Sequence, residues 1–499
     1  MELTDQIIQK ALKNLRFQTD CFIDGKYQPS FSNKRFNCIS SIDSKPITTI
    51  ASGDSKDIDC AVHAARESFE SGIWKNLPPS KRKATLLKLA ELIEANQLNL
   101  ALLETLDMGK PIADSFSVDI PAAIRSLRWY AESIDKVYDE VAPTAQPSLA
   151  TMTREPIGVV GAVVPWNFPL MMAMWKVAPA LACGNSVVLK PAEQSSLSAL
   201  YLGQLANESG IPKGVLNVVP GFGKTAGKTL GLHPDVDCLA FTGSTEVGKL
   251  FMSYSAQSNL KKVWLECGGK SPNIIFDDCP DLDKVAKTSA GAIFYNQGEV
   301  CTAGSRLIVH KKIKDQLLQK IIHYAKNFKP LEPLNPSSKM GAIVDKSQFK
   351  KIMASIDHGK KEGASLILGG KQTLQETGGF YIEPTIFDNV TPNMKIAKEE
   401  IFGPVLSILS FETDDEAVKI ANDSDYGLAA AVWSKDINRA HLTAKALKSG
   451  IVWVNCWDYD DMTTAFGGYK HSGNGRDKSL HSLEKYTELK TTWINLEQN

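Results

Sequence analysis

Three short segments carry side chains suited to covalent chemistry on a carbonyl carbon. In FYNQGEVCTAGSR (294–306), Cys301 stands in a loop of small residues, where Gly298 and Gly304 let a backbone approach a ligand closely. A thiolate adds to an electrophilic carbon, yet a lone cysteine is more often an inert packing residue. In VWLECGGKSPN (263–273), Glu266 ends an apolar run and precedes two glycines. It reads either as a strand-end acid in an ion pair or as a general base whose pKa is raised in a dry pocket. In VVPWNFP (163–169), Asn167 follows a buried run and is flanked by prolines. Its side-chain NH2 suits a developing oxyanion, although Asn and Pro also build ordinary turns.

Two glycine-rich turns could hold phosphate. GFGKTAGKT (221–229) lacks the spacing of an ATPase phosphate loop, because Phe222 stands where glycine is required. Its third glycine, Gly227, also falls one position late for a dinucleotide fingerprint. FTGSTEVG (241–248) reads as strand, turn and helix, with Gly243 and Ser244 at the helix start.

Composition narrows the classes. With 56 basic and 56 acidic residues there is no surplus positive charge to neutralise a phosphate backbone, which argues against nucleic acid as a partner. The nine cysteines form no C-x-x-C pair and do not cluster with the eight histidines, so neither a metal site nor a disulfide framework is expected. A reducing cytoplasm fits. The amphipathic start (Ile7, Ile8, Ala11, Leu12, Leu15) carries Glu2 and Asp5, unlike an acid-poor mitochondrial leader. The terminal LEQN matches no retention signal. Residues 156–175 are uncharged over about a bilayer's length, but Pro165, Asn167 and Pro169 interrupt them. A strand, loop and helix are expected there.

The positioning elements alternate. IGVVGAVV (157–164), NSVVLK (185–190), GVLNVV (214–219), DCLAFTG (237–243) and KVWLE (262–266) read as strands, with helices such as 196–208 and 246–255 between them. This is the pattern of parallel βαβ units covered on both faces. A second α/β region runs from about 281 to 440, with 281–298 helical and SRLIVH (305–310) extended; 125–140 reads as one amphipathic helix. TELKTTWINL near the end reads as an edge strand that needs a partner.

Taken together, PWNFP, LKPAEQ, FTGSTEVG, LECGGKSPN, FYNQGEVCTAGSR, KEEIFGPV and FGGYKHSGNGRD resemble, in order, the motifs of the aldehyde dehydrogenase superfamily over essentially the whole chain. LETLDMGKPI, IDKVYDEVA and SGNGRDKSLHSLEKYTELKT resemble its branch acting on aminoaldehydes and γ-glutamyl-γ-aminobutyraldehyde in polyamine (putrescine) catabolism. The resemblance implies an α/β fold of two Rossmann-like parallel-sheet domains, cofactor-binding (1–140 and 160–267) and catalytic (268–475). It adds a small β oligomerisation element (141–159 and 476–499) and a homotetramer or dimer.

The resemblance also implies roles. Cys301 would be the nucleophile, Glu266 the base, and Asn167 an oxyanion donor beside the Cys301 N–H. Lys190 and Glu400 would hold the nicotinamide-side ribose of NAD (or NADP) with Phe402 near it, while Glu193 takes the adenosine ribose. Val163, Val164, Pro165, Trp166, Gly223, Gly227, Phe241, Gly243, Ser244, Val247, Cys267, Gln348 and Lys351 would complete the cofactor site. An aldehyde channel would be lined by Phe168, Met171, Met172, Trp175, Tyr295, Val300, Thr302 and Phe466, with Ala122 leaving room. Two departures stand out: Cys267 replaces a leucine, and Glu299 replaces a glutamine. Glu299 is expected to raise the thiol's pKa through its charge.

WDYDDMT (457–463) would bring Asp458, Asp460 and Asp461 to the channel with Trp457 and Tyr459. These groups are expected to attract a cationic or polar tail, as in an ω-aminoaldehyde, unless they are simply a solvated loop. A broad aliphatic or betaine-type aldehyde substrate is the alternative. A P-loop NTPase and a non-catalytic structural protein are disfavoured by Phe222 and by the joint presence of Cys301, Glu266 and Asn167.

Overall fold

The computed structural model describes residues 3–497. All five expected runs form neighbouring parallel strands, in the order Leu216–Val218, Ser186–Lys190, Val159–Val163, Cys238–Thr242, Lys262–Glu266. Cys21–Ile23, Lys26–Gln28 and Gly473–Asn474 extend the edges antiparallel to complete eight strands. Alternate side chains serve opposite layers. Val160, Ala162, Val187, Leu189 and Ala240 pack on the helices Pro79–Ala95, Ile120–Ser133, Pro169–Ala182 and Leu197–Ser209. Val159, Val188, Leu239, Phe241 and Val263 pack on Ser55–Ser71 and Thr245–Ala256. Burial on both faces explains why these strands are apolar throughout.

The second sheet has seven strands, in the order Ser365–Leu368, Thr385–Asp388, Val405–Phe411, Arg306–His310, Pro272–Ile275, Ala429–Trp433, Ile451–Val454. All but the first are parallel. It too carries separate cores on its two faces. Thr487–Asn495 finds its partner in Ser148–Pro156, in a nine-pair antiparallel register, with Glu140–Ala142 on the other side. This three-stranded sheet leaves Val141, Leu489 and Trp493 exposed.

One expectation fails. The helix over 125–140 ends at Ser133, and Glu140 already belongs to a strand, because pairing with Met152 takes over there. Residues 156–175 become strand, loop and helix, and no helix among the described residues is long and apolar enough to cross a membrane. The first two and last two positions of the expected terminal ranges lie outside the described residues.

Candidate active site

The carboxyl ends of the first sheet face the segments leading into strands of the second. Between them lies a cavity of about 620 Å³. Such a crevice is where open parallel sheets bind ligands.

The Cys301 loop is shaped from three directions. The helix Leu282–Phe294 stops as Asn296 and Gln297 turn left-handed (φ 47° and 56°), and Cys301 follows before the strand Arg306–His310. Asn296 Nδ2 donates to the carbonyls of Asn167 (3.3 Å) and Glu299 (3.2 Å). Asn167 Nδ2 donates to the Glu299 carbonyl at 2.9 Å, which puts this amide beside the loop with one N–H left to give. Lys110, from LETLDMGKPI, fixes Asn167 by donating to its carbonyl at 2.9 Å, and pairs with buried Asp119. The twin glycines after Glu266 are needed for close approach. A Cβ on Gly269 would come within 2.5 Å of the Cys301 carbonyl, and one on Gly268 within 2.0 Å of Glu400. Gly269 N donates to Glu400 Oε1 at 3.0 Å.

Burial favours the neutral forms of the acids around the cavity. Burial, followed by the charges of Glu400, Glu266 and Asp458, raises the Cys301 thiol well above its ordinary value. Burial raises Glu266 likewise, opposed by Lys176, Lys485 and Arg476. Both Glu266 oxygens lack hydrogen-bond partners among the described residues, and the carboxyl faces Gly467, outside the cavity lining. Rotation toward the cavity would therefore break no hydrogen bond. The concern over Glu299 takes a different form in the structure. Its carboxyl turns away to accept from Val344 N at 3.1 Å and so braces the loop, and burial raises its own pKa.

One end of the cavity is lined by Pro165, Trp166, Gly243, Ser244, Cys267, Gln348, Lys351, Glu400 and Phe402. Ser244 caps the helix Thr245–Ala256 by accepting from Val247 N and itself lines the cavity, so the helix start borders it. Trp166 and Phe402 meet edge to face at 5.2 Å. Gln348 spends its amide hydrogens on the carbonyls of Ile401 (3.0 Å) and Phe402 (2.7 Å), leaving only its oxygen for a ligand. Beside this end, buried Lys190 lies 3.6 Å from Glu193, and Gly227 lies against the Lys190 stem. Gly223 has open space where a side chain would stand. Phe241, Val163 and Val164 are buried just beneath and Val247 is exposed on the capped helix; none of the four reaches the lining. The glycine cradle, helix start and unpartnered Thr242 hydroxyl fit a dinucleotide with its pyrophosphate.

The other end is lined by Phe168, Met171, Met172, Trp175, Tyr295, Val300, Thr302 and Phe466, with Ala122. Asp458, Tyr459 and Asp460 line it, whereas Trp457 is buried against Trp453 and Gly304. The acidic stretch is not an uncompensated negative field. Asp460 is ion-paired with Lys478, and Asp461 is turned to Thr463.

Some groups escape the sequence reading. Arg125 and Lys478 line the cavity; their only signals were Arg125 lying one helical turn beyond Ala122 and Lys478 following the GRD motif. Lys176, Asp477 and Lys485 form a buried ionic cluster beside Glu266, drawn from three separated positions. Asp477 also holds Phe466 through two backbone hydrogen bonds (2.7 and 2.8 Å).

Comparison with known proteins agrees with this geometry. Residues 27–492 match the aldehyde dehydrogenase family. The chain is 52% identical to the NADP/NAD-dependent aldehyde dehydrogenase PuuC of Escherichia coli K12, over 98% of each chain. A solved γ-glutamyl-γ-aminobutyraldehyde dehydrogenase from Burkholderia cenocepacia superposes with a TM-score of 0.98 at 55% identity, covering 99% of this chain and 100% of that one. An indole-3-acetaldehyde dehydrogenase solved with NAD+ gives 0.98 at 56%, with the same coverage. Relatives named for very different aldehydes are thus equally similar, so overall identity does not select the tail.

Proposed function

The chain belongs to the aldehyde dehydrogenase family, and from that premise we propose that it oxidises an aldehyde with a polar, nitrogen-bearing tail to its carboxylic acid, using Cys301. The observation that carries this is one cavity with Cys301 in its wall, a phosphate-suited helix start at one end and an aromatic, Met-rich channel at the other.

Cys301, once deprotonated, attacks the aldehyde carbon, and the resulting oxyanion takes hydrogen bonds from Asn167 Nδ2 and the Cys301 N–H. Bound NAD(P)+ would supply the acceptor for the hydride that leaves this carbon, and loss of that hydride turns the Cys301 adduct into a thioester. Glu400, Lys190 and the Ser244 helix start would hold the cofactor; Glu193 would accept the adenosine ribose hydroxyls. Glu193 is already close to Lys190, so it can turn aside for a 2′-phosphate, consistent with the dual specificity in PuuC's name. Glu266 then takes a proton from water attacking the Cys301 thioester; the S–C bond breaks and the acid leaves.

Aminoaldehydes or γ-glutamyl-γ-aminobutyraldehyde of polyamine catabolism are the proposed substrates, supported by the relatives' names and the charged channel end. The domain ranges given above are proposed as cofactor-binding, catalytic and oligomerising units. The exposed apolar side chains of the three-stranded sheet support a homodimer or tetramer, testable by light scattering. Nine free cysteines support a cytoplasmic location. The deciding assay follows reduced nicotinamide with a panel of 4-aminobutanal, 4-acylaminobutanals and hexanal, with NAD+ and NADP+. Nitrogen-bearing tails should give the higher kcat/KM; a preference for hexanal would remove the substrate assignment.

A further inference from the structure

Two side chains of the Cys301 loop, neither used in the chemistry above, tie it to the segment that opens the cofactor-side helix. Gln297 Oε1 accepts from Gly341 N at 2.9 Å, and Glu299 Oε1 accepts from Val344 N at 3.1 Å. The residue after Val344, Asp345, caps the helix Lys346–Lys361. Its two oxygens accept from Gln348 N (2.8 Å) and Gln194 Nε2 (3.0 Å). Gln348 and Lys351, near the start of that helix, line the cofactor end of the cavity. Gln348 Nε2 in turn holds the carbonyls of Ile401 and Phe402. The loop also lies against the residue that follows Phe402, since a Cβ on Gly298 would come within 2.3 Å of the Gly403 carbonyl. Residues 297–299 therefore pack on both segments that carry Gln348 and Phe402 to the cofactor end.

Glu299 faces two ways. Its backbone carbonyl accepts from Asn167 Nδ2 at 2.9 Å, while its side chain reaches Val344. It is fully buried and absent from the cavity lining, so it touches neither aldehyde nor cofactor. We propose that Glu299 is a positioning residue: through Val344, Asp345 and Gln348 it makes the placement of Asn167 and Cys301 depend on occupancy of the cofactor end. A ligand seated on Gln348 and Phe402 fixes the start of the helix Lys346–Lys361. That fixes Glu299, and with it the carbonyl on which the Asn167 amide rests. Donors placed in advance speed formation of an oxyanion, whereas a loop free to shift must be ordered during the reaction. Attack by Cys301 is thereby favoured once a hydride acceptor is in place. Burial favours the neutral form of the Glu299 carboxyl, with Asp345 opposing its ionisation and Lys110 favouring it. A glutamine therefore keeps both the shape and the acceptor for Val344 N. This inference rests on the roles proposed above for Cys301 and Asn167.

The test uses the full-length enzyme and ADP-ribose, which is the cofactor without its nicotinamide and so fills that end without placing a cationic ring beside the thiol. The probe reaction is acylation of Cys301 by p-nitrophenyl acetate: the S–C bond forms through an oxyanion on the same donors, and p-nitrophenolate leaves. The rate constant of the p-nitrophenolate burst reports active sites only, so its ratio with and without ADP-ribose is insensitive to the fraction folded. In the parent that ratio should be at least about five, the lower end of ordinary coupling between two sites. Glu299→Gln should keep it. Glu299→Leu should bring it near one while ADP-ribose still binds, as read by calorimetry. Should Glu299→Leu fail to fold, Gln297→Met takes its place: it cuts the companion tie to Gly341, and its ratio should fall likewise. A role in folding alone would lower the burst amplitude and leave the ratio at the parent value. A parent ratio of one, a ratio lost in Glu299→Gln, or one unmoved in the variant that cuts a tie would overturn the proposal while leaving aldehyde oxidation intact. Absence of both a burst and reduced nicotinamide with any aldehyde, hexanal included, would instead bring down the proposed function and this inference with it.

Discussion

The two ends of the substrate channel are built differently. At the reacting end, Cys301, Asn167 and Glu266 sit on loops and strand ends locked by backbone contacts: two amides on the Glu299 carbonyl, Lys110 on the Asn167 carbonyl, and glycines where any side chain would collide. At the tail end, Arg125 and Asp458 line the cavity from a helix face and a loop, with no ion pair or side-chain hydrogen bond among the described residues. Chemistry that must reproduce one transition state needs fixed geometry. Selection of a tail needs only the right charges within reach, so it can rest on surfaces that change readily.

The contrast breaks most sharply at the reacting end. Cys301→Ala should lower kcat by at least about ten-thousandfold on every aldehyde alike, because covalent catalysis is lost whatever the tail. Residual turnover that still depended on the tail would assign the chemistry elsewhere. Glu266→Gln should reduce kcat by about a hundred- to ten-thousandfold. A burst of about one reduced nicotinamide per site should survive, since acylation precedes the step that needs this base. In the parent enzyme both the thiol and the Glu266 carboxyl are raised by burial, so each is protonated at low pH. Acylation needs the deprotonated thiol, so kcat/KM should rise as pH increases from neutrality; deacylation needs deprotonated Glu266, so kcat should rise in the same direction. A bell centred in the acid range would contradict those roles.

The same contrast decides what was legible in the sequence. Cys301, Glu266 and Asn167 each lie in a run whose neighbours must be small or fixed, and that requirement writes a local pattern. The five strands of the first sheet were readable because burial on both faces demands continuous apolar runs. Arg125 stands hundreds of residues before Asp458 and Lys478 yet lines the same cavity, and although WDYDDMT pointed to Asp458, the spacing of the three carries no signal. The helix expected over 125–140 was lost for a related reason: the pairing of Glu140 with Met152 is non-local and overrides the amphipathic pattern.

Beneath Glu266 the buried cluster should be felt in stability before activity. Asp477 accepts from both Lys176 and Lys485, and all three side chains are at least 97% buried. Asp477→Asn would leave two lysines in the interior without a countercharge. That costs about 3–5 kcal/mol, read as a fall in the denaturant midpoint. Replacing Asp458 at the tail end, where solvent reaches the carboxylate, should cost far less. Equal losses would mean that the two ends share one framework.

The smallest expected effect separates binding from folding within the cofactor end. Burial pushes Glu400 up from 4.5 to about 7, although Gly269 N donates to it and Lys351 and Lys270 lie near. A carboxyl with a raised folded pKa favours the folded state only while protonated. Its contribution is intact below the unfolded value of 4.5 and is lost as pH rises toward about 7. Glu400→Gln keeps an acceptor for Gly269 N and removes the charge. The melting temperature of the variant should therefore gain on the parent between those two pH values and stay level above them. Cofactor affinity should fall over the whole range if Glu400 holds the ribose. A variant that gained stability without losing affinity would leave Glu400 as a support for the twin glycines and the Cys301 loop, and would move ribose binding to Lys190.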